Sequence, residues 1–181
     1  MLAMTRHEAE LYARDGYIIR RGLLDANEVA NFRDHARKQL EEEQSKGGVM
    51  AKGDKEGKTT LLKMWTKAED DKYGLLARDE RMVDLAEDAV GKPIYLYSHK
   101  MTMKQPNEGG AWEWHQDFGY WYNYGCLAPE MMSIYVALDK ATRENGCLQV
   151  LKGTHKLGRL NHIRENDQTN VEQEHLEAAL Q

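Results

Sequence analysis

The chain has 181 residues, enough for one domain with a sizeable core, and its 41% hydrophobic and 30% charged residues are ordinary for a globular protein. A net charge of −5 and a pI near 5.8 disfavour a nucleic-acid partner. No apolar run approaches the roughly 20 residues that span a bilayer, and the N-terminal stretch Met-Leu-Ala-Met-Thr-Arg-His-Glu lacks the apolar core of a secretion signal, so a cytoplasmic protein without a membrane partner is expected.

Thr5-Arg-His-Glu8 is a capping-box pattern and predicts a short helix through about Ala13. Asp15-Gly16 then turns into Tyr17-Ile-Ile-Arg-Arg21, a β-type run. Asp25-Ala-Asn-Glu28 is a second cap, and Val29, Phe32, Ala36 and Leu40 follow at helical spacing up to Gly47-Gly48. Residues 46–58, rich in Gly and Lys, suggest a mobile loop, and residues 59–65 an extended run. Met82, Leu85, Ala86 and Ala89 mark a second amphipathic helix over 78–90, stopped by Gly91.

Pro93 opens an expected strand over 94–104, and a turn-rich connection at 106–110 leads to another over 112–117. An aromatic loop, 118–124, comes next. Residues 132–138 carry β-branched residues and predict a buried strand; Asn145-Gly146 is a tight turn, 147–151 the returning strand and Gly153 the next turn. Helical spacing reappears over 171–180. Two cysteines, Cys126 and Cys147, with no C-x-x-C, are expected as reduced, buried thiols. Helices first and short turn-linked strands later predict a mainly β, α+β domain: a jelly-roll-like core with helices packed on it rather than a parallel α/β fold.

His115 and Asp117, in Trp112-Glu-Trp-His-Gln-Asp-Phe118, are the chemically pointed pair. On an extended segment, side chains two apart share a face, so one imidazole nitrogen and one carboxylate are offered to a single metal ion. That is two thirds of the 2-His-1-carboxylate triad of non-haem Fe(II) oxygenases. Alone, H-x-D equally describes a surface His beside an Asp; seven surrounding aromatics, from Trp112 to Tyr124, favour a walled pocket. Glu113 shares the parity, with a solvent-facing or supporting role expected.

Residues 95–159 resemble the phytanoyl-CoA dioxygenase family of Fe(II)/2-oxoglutarate oxygenases. The likeness is carried by Ile94-Tyr-Leu-Tyr-Ser-His-Lys-Met-Thr-Met-Lys104, by Trp114-His-Gln-Asp117, by the aromatic loop, by the run 132–138, and by Asn145-Gly-Cys-Leu-Gln-Val-Leu-Lys-Gly-Thr-His-Lys156. Asp15-Gly16-Tyr17 and Gly22-Leu23-Leu24 extend it over nearly the whole chain. The resemblance implies a double-stranded β-helix (jelly-roll) core and a single domain over 1–181. It implies a hydroxylase of a small organic or acyl-CoA-type substrate. Fe(II) would be the cofactor, 2-oxoglutarate and O2 the co-substrates, and ascorbate a candidate reductant. His115 and Asp117 would be the first two iron ligands. Lys100 or Thr102, and Ser133 or Tyr135, would bind 2-oxoglutarate, and Trp121 would line the site.

The family's third ligand, a distal His followed by an Arg that clamps 2-oxoglutarate, has no convincing match here. His155 lies in Gly-Thr-His-Lys and is expected as a turn residue near the pocket; His162 is too close to Arg164 to repeat the family spacing; His175 sits in a polar helix. The expectation is a domain missing its C-terminal strands. A non-catalytic jelly-roll module remains the alternative. A cupin-type hydrolase or isomerase would need another ligand on a neighbouring strand. His99, the one His on the preceding strand, has the opposite parity to Lys100 and Thr102.

Overall fold

A computed structural model describes residues 3–165 and 167–180. Helix α1 (Arg6–Asp15) starts as its sequence predicts: the Thr5 hydroxyl accepts the Glu8 N–H while the Glu8 carboxylate accepts the Thr5 N–H, filling two of the bonds a helix start leaves open. Asp25 and Glu28 repeat the device at α2 (Ala26–Lys46), which ends at Gly47 with a φ of 71°. Between these helices, residues 17–21 do not form the expected strand; no neighbouring strand takes up their backbone, and Ile19 is 70% exposed.

Where the composition suggested a mobile loop, β1 (Met50–Gly53) and β2 (Thr59–Trp65) form an antiparallel hairpin. Asp54 orders its tip: one carboxylate oxygen accepts the N–H groups of Glu56 and Lys58 at 2.9 and 2.8 Å, and the other accepts the Ala111 N–H at 2.9 Å. Two helices follow, α3 (Lys72–Ala77), begun by Asp71, and α4 (Glu80–Val90), capped by Asp79 and stopped by Gly91. Strand β3 (His99–Met103) then pairs with the free edge of β2, Lys63 opposite Met101 and Leu62 opposite Thr102. Only the second half of the expected strand 94–104 is therefore paired.

The sheet β1–β2–β3 is a wall with two unlike faces. Alternation turns His99, Met101 and Met103 one way and Lys100 and Thr102 the other. On the first face Met101 meets Ala36 of α2 and Tyr73 of α3 in a buried cluster edged by Phe32, Trp65, Met103 and Leu138. His99 stacks on Trp65 at 5.0 Å, so the opposite parity expected for it holds. Lys100 and Thr102 are exposed on the second face.

Beyond the sheet lie α5 (Asp117–Tyr122), the antiparallel hairpin of β4 (His162–Glu165) and β5 (Gln168–Val171), and α6 (Gln173–Ala179). The expected strands at 112–117, 132–138 and 147–151 are irregular among the described residues, and the second is not buried: Tyr135 is 61% exposed. No strand lies beside them to accept a ladder of hydrogen bonds. The aromatic stretch after the H-x-D pair is the helix α5 rather than a loop. Six α-helices and five strands among the described residues make the chain mixed rather than mainly β. Both sheets are antiparallel, which agrees with the rejection of a parallel α/β fold. The Asn145-Gly146 turn forms as expected, Asn145 accepting the Thr142 N–H, and both cysteines are free and half-buried. No described helix is long and apolar enough to cross a membrane.

Candidate metal centre

A frame of polar contacts, not a strand ladder, holds the segment that carries His115. Buried Gln168 accepts the Glu113 N–H and donates to the carbonyls of Gly53 and Ala111, each at 2.9 Å, and the Val171 N–H reaches the Trp114 carbonyl at 2.9 Å. The backbone then turns into α5 at Asp117. His115 and Asp117 therefore meet across a helix start. The shared-face expectation survives, but the strand geometry behind it does not.

His115 Nδ1 lies 2.7 Å from the Glu113 carbonyl oxygen. A carbonyl only accepts, so Nδ1 carries a proton; Nε2 is then the ring atom that donates to Asp117 when protonated and can ligate a metal when it is not. Nε2 faces Asp117 Oδ1 at 3.5 Å, and the other Asp117 oxygen accepts a hydrogen bond from the Ser133 hydroxyl. Burial pulls the His115 pKa down, but hydrogen bonding to Asp117 and to the Glu113 carbonyl outweighs it, and the net shift is upward. The His115 contact, then the Ser133 hydroxyl and the Lys100 charge, hold Asp117 well below the usual carboxylate range despite partial burial. Asp117 is thus an anion at neutral pH.

This donor set suits a hard or borderline divalent cation. Two bonds of roughly 2.0–2.2 Å to one ion leave the donors within about 4.4 Å of each other, so the observed separation lets both reach it. A ligating His commonly gives its second N–H to a backbone carbonyl, which fixes tautomer and ring orientation, as Glu113 does here.

The other expected site residues divide. Lys100 is close enough for its charge to act on both members of the pair, and Ser133 bonds one of them. Thr102 shares the Lys100 face, and Tyr135 is largely exposed; neither is hydrogen-bonded to the pair among the described residues. Trp121 packs edge-on against Tyr97 at 5.0 Å and Tyr120 at 4.8 Å in the aromatic wall of α5. Glu113 supports His115 through its backbone while its carboxylate lies 3.8 Å from Lys55.

The histidines downstream also separate. His155, expected near the pocket, instead holds the end of α1: its Nε2–H donates to the Ala13 carbonyl at 3.2 Å. His175 lies 3.5 Å from Glu172 on α6. His162, set aside on spacing, lies beside the pair, its Nε2 2.9 Å from the Gln116 backbone nitrogen. Nothing local in the sequence marks it; the β4–β5 hairpin carries it there. Among the described residues no group of three or more His, Cys, Asp or Glu is arranged to hold a metal.

The sequence model of the phytanoyl-CoA dioxygenase (PhyH) family matches residues 12–180. This chain belongs to the phytanoyl-CoA dioxygenase family. Within it, the chain is 45% identical over 84 residues to an L-proline trans-4-hydroxylase of Streptomyces griseoviridis, covering 46% of this chain and 31% of that protein. It is 25% identical over 154 residues to an ectoine dioxygenase of Sphingopyxis alaskensis, covering 84% of this chain and 50% of that protein. The crystal structure of EctD from S. alaskensis with bound Fe superposes with a TM-score of 0.57 at 23% identity, over 66% of this chain and 43% of that one, a likeness of fold. The chain spans half or less of the length of these relatives.

Proposed function

We propose that this member of the phytanoyl-CoA dioxygenase family serves an Fe(II)- and 2-oxoglutarate-dependent dioxygenase that hydroxylates a small organic or acyl-CoA-type substrate on a jelly-roll scaffold. The observation that carries the proposal is the placement of the His115 ring: Nδ1–H donates to the Glu113 carbonyl, which turns Nε2 toward the Asp117 carboxylate at 3.5 Å. His115 and Asp117 would hold the iron. Bound Fe(II), with 2-oxoglutarate and O2, supplies the oxidation: the co-substrate is decarboxylated to succinate and CO2 as a C–H bond becomes C–OH.

The chain's own residues bind and orient. The Ser133 hydroxyl fixes the free oxygen of Asp117. Lys100 places a cation beside the pair, where an anionic co-substrate would gain from it, with Thr102 on the same strand face and Tyr135 near Ser133 in sequence as further polar contacts. Trp121, packed against Tyr97 and Tyr120, would line the site, although His115 itself is exposed. Ascorbate would serve as reductant. L-proline and ectoine, the substrates named for two relatives, are the first compounds to offer.

The test is anaerobic Fe(II) titration of the chain, followed by succinate formation from 2-oxoglutarate with each candidate substrate. His115→Ala should weaken Fe(II) binding by more than the roughly 10–100-fold that losing a mere supporting partner costs. Unchanged binding in that variant would sink the metal assignment. One observation favours a second reading, a non-catalytic binding module: no third metal-ligating side chain joins the pair among the described residues. Fe(II) binding without any 2-oxoglutarate turnover would support that module.

A further inference from the structure

Three hydrogen bonds converge on Gln116, the residue between the two proposed metal ligands. Its backbone N–H donates to His162 Nε2 at 2.9 Å, its side-chain amide donates to the Gly158 carbonyl at 2.9 Å, and its side-chain oxygen accepts the Leu160 N–H at 2.8 Å. The stretch 158–162 therefore grips Gln116 from both ends of its side chain and from the main chain. An amide N–H can only donate, so His162 Nε2 must accept; the ring is neutral with its proton on Nδ1, which lies 2.9 Å from the Leu160 carbonyl. The ring also lies against Gly119, in the first turn of α5, where a β-carbon would overlap it.

From this geometry we infer that His162 is a positioning residue for the His115–Asp117 pair, acting through the Gln116 N–H. The inference rests on the pair being metal ligands. The Gln116 N–H belongs to the peptide that joins His115 to Gln116, one residue before Asp117: rotating it would move the His115 ring off the Glu113 carbonyl and change its separation from Asp117. His162 fixes that peptide by accepting its one donor. It does not itself offer a ligand atom, because Nε2 is engaged with Gln116 and Nδ1 with Leu160. The ring is locked as supporting partners of metal ligands usually are, by hydrogen bonds and packing on both sides.

The experiment compares His162→Gln with His162→Asn, alongside His162→Ala and His115→Ala, by anaerobic Fe(II) calorimetry on variants whose unfolding curves show them folded. A Gln oxygen reaches as far as Nε2 and can accept the Gln116 N–H; an Asn side chain reaches only as far as Nδ1. His162→Ala and His162→Asn should each weaken Fe(II) binding by about 10–100-fold, and His162→Gln should restore most of the loss. If Ala does not fold, the Gln–Asn contrast carries the test alone. Equal loss in Gln and Asn overturns the inference and points to a ligating or purely packing His162, and parent-like binding in all of them overturns it too. Fe(II) binding indifferent to His115→Ala is a separate failure, that of the metal assignment itself.

Discussion

The two faces of the β1–β2–β3 sheet are built on different terms. Toward α2 and α3, Met101, Ala36 and Tyr73 close a buried apolar cluster in which the Tyr73 hydroxyl donates to a soft partner, the Met101 sulfur at 3.2 Å. Toward the H-x-D segment the same strand presents Lys100 and Thr102, and order there comes from single polar contacts: Gln168 to Glu113, Ser133 to Asp117, His162 to Gln116. The Met101–Tyr73 cluster lies on one side of the wall and the candidate chemistry on the other, although Leu62, opposite Thr102, is also buried. Damage to each side should therefore be read by a different measurement.

The sharpest way to break that division is at Tyr73. Tyr73→Ala should cost roughly 3–5 kcal/mol, the range for truncating a large buried aromatic, visible as a lower denaturant midpoint at unchanged slope. A loss below about 1 kcal/mol would mean the apolar cluster is not the stabilising face. On the opposite side of β3, Lys100→Ala should move stability by no more than about 0.5 kcal/mol while weakening 2-oxoglutarate binding by roughly 10–100-fold, as loss of a charged hydrogen-bond partner does. Calorimetry with 2-oxoglutarate in the presence of Fe(II) decides it.

Smaller effects map how far the stabilising layer extends. Asp25 accepts from the Asn27 and Glu28 N–H groups at the start of α2, and Asp25→Ala should cost about 1 kcal/mol in urea unfolding, more if α2 anchors the layer as proposed. The least expected effect is a pH dependence at Glu8. The Thr5 N–H and hydroxyl, then Arg20, lower its pKa from 4.5 to about 2 against partial burial. A depressed folded-state pKa stabilises above the unfolded value, so the contribution is complete above pH 4.5 and disappears as pH falls toward 2. The stability gap between the parent and Glu8→Gln should shrink across that window; a gap that widens on acidification would contradict the assignment.

What could be read from the sequence follows the same division. Helices α1 and α2 are announced by residues that bond within their own first turn, Thr5 with Glu8 and Asp25 with Glu28, and α4 by the spacing of Met82, Leu85, Ala86 and Ala89 and its Gly91 stop. Helix α3 escapes because Lys72-Tyr-Gly-Leu-Leu-Ala77 is six residues long with a central glycine, and the Asp71 cap alone is a faint mark. Strand patterns over 132–138 and 147–151 are real as patterns, yet a strand exists only where another strand takes its hydrogen bonds, and that information is not local. At the candidate site the H-x-D pair singled out His115 and Asp117 and the family-like blocks Lys100 and Ser133, which the structure places beside that pair. The bond between Gln116 and His162 was not legible, since it joins residues 46 apart and no motif links the two.

The contact between Gly119 and His162 also constrains the mutational history open to this family member. A side chain at position 119 requires the imidazole to shift, whereas the imidazole can be trimmed with glycine still in place. Substitution at 119 should therefore be better tolerated once His162 has been replaced than while the imidazole is in place. A library that randomises both together should recover substitutions at 119 mainly on backgrounds that have already given up His162.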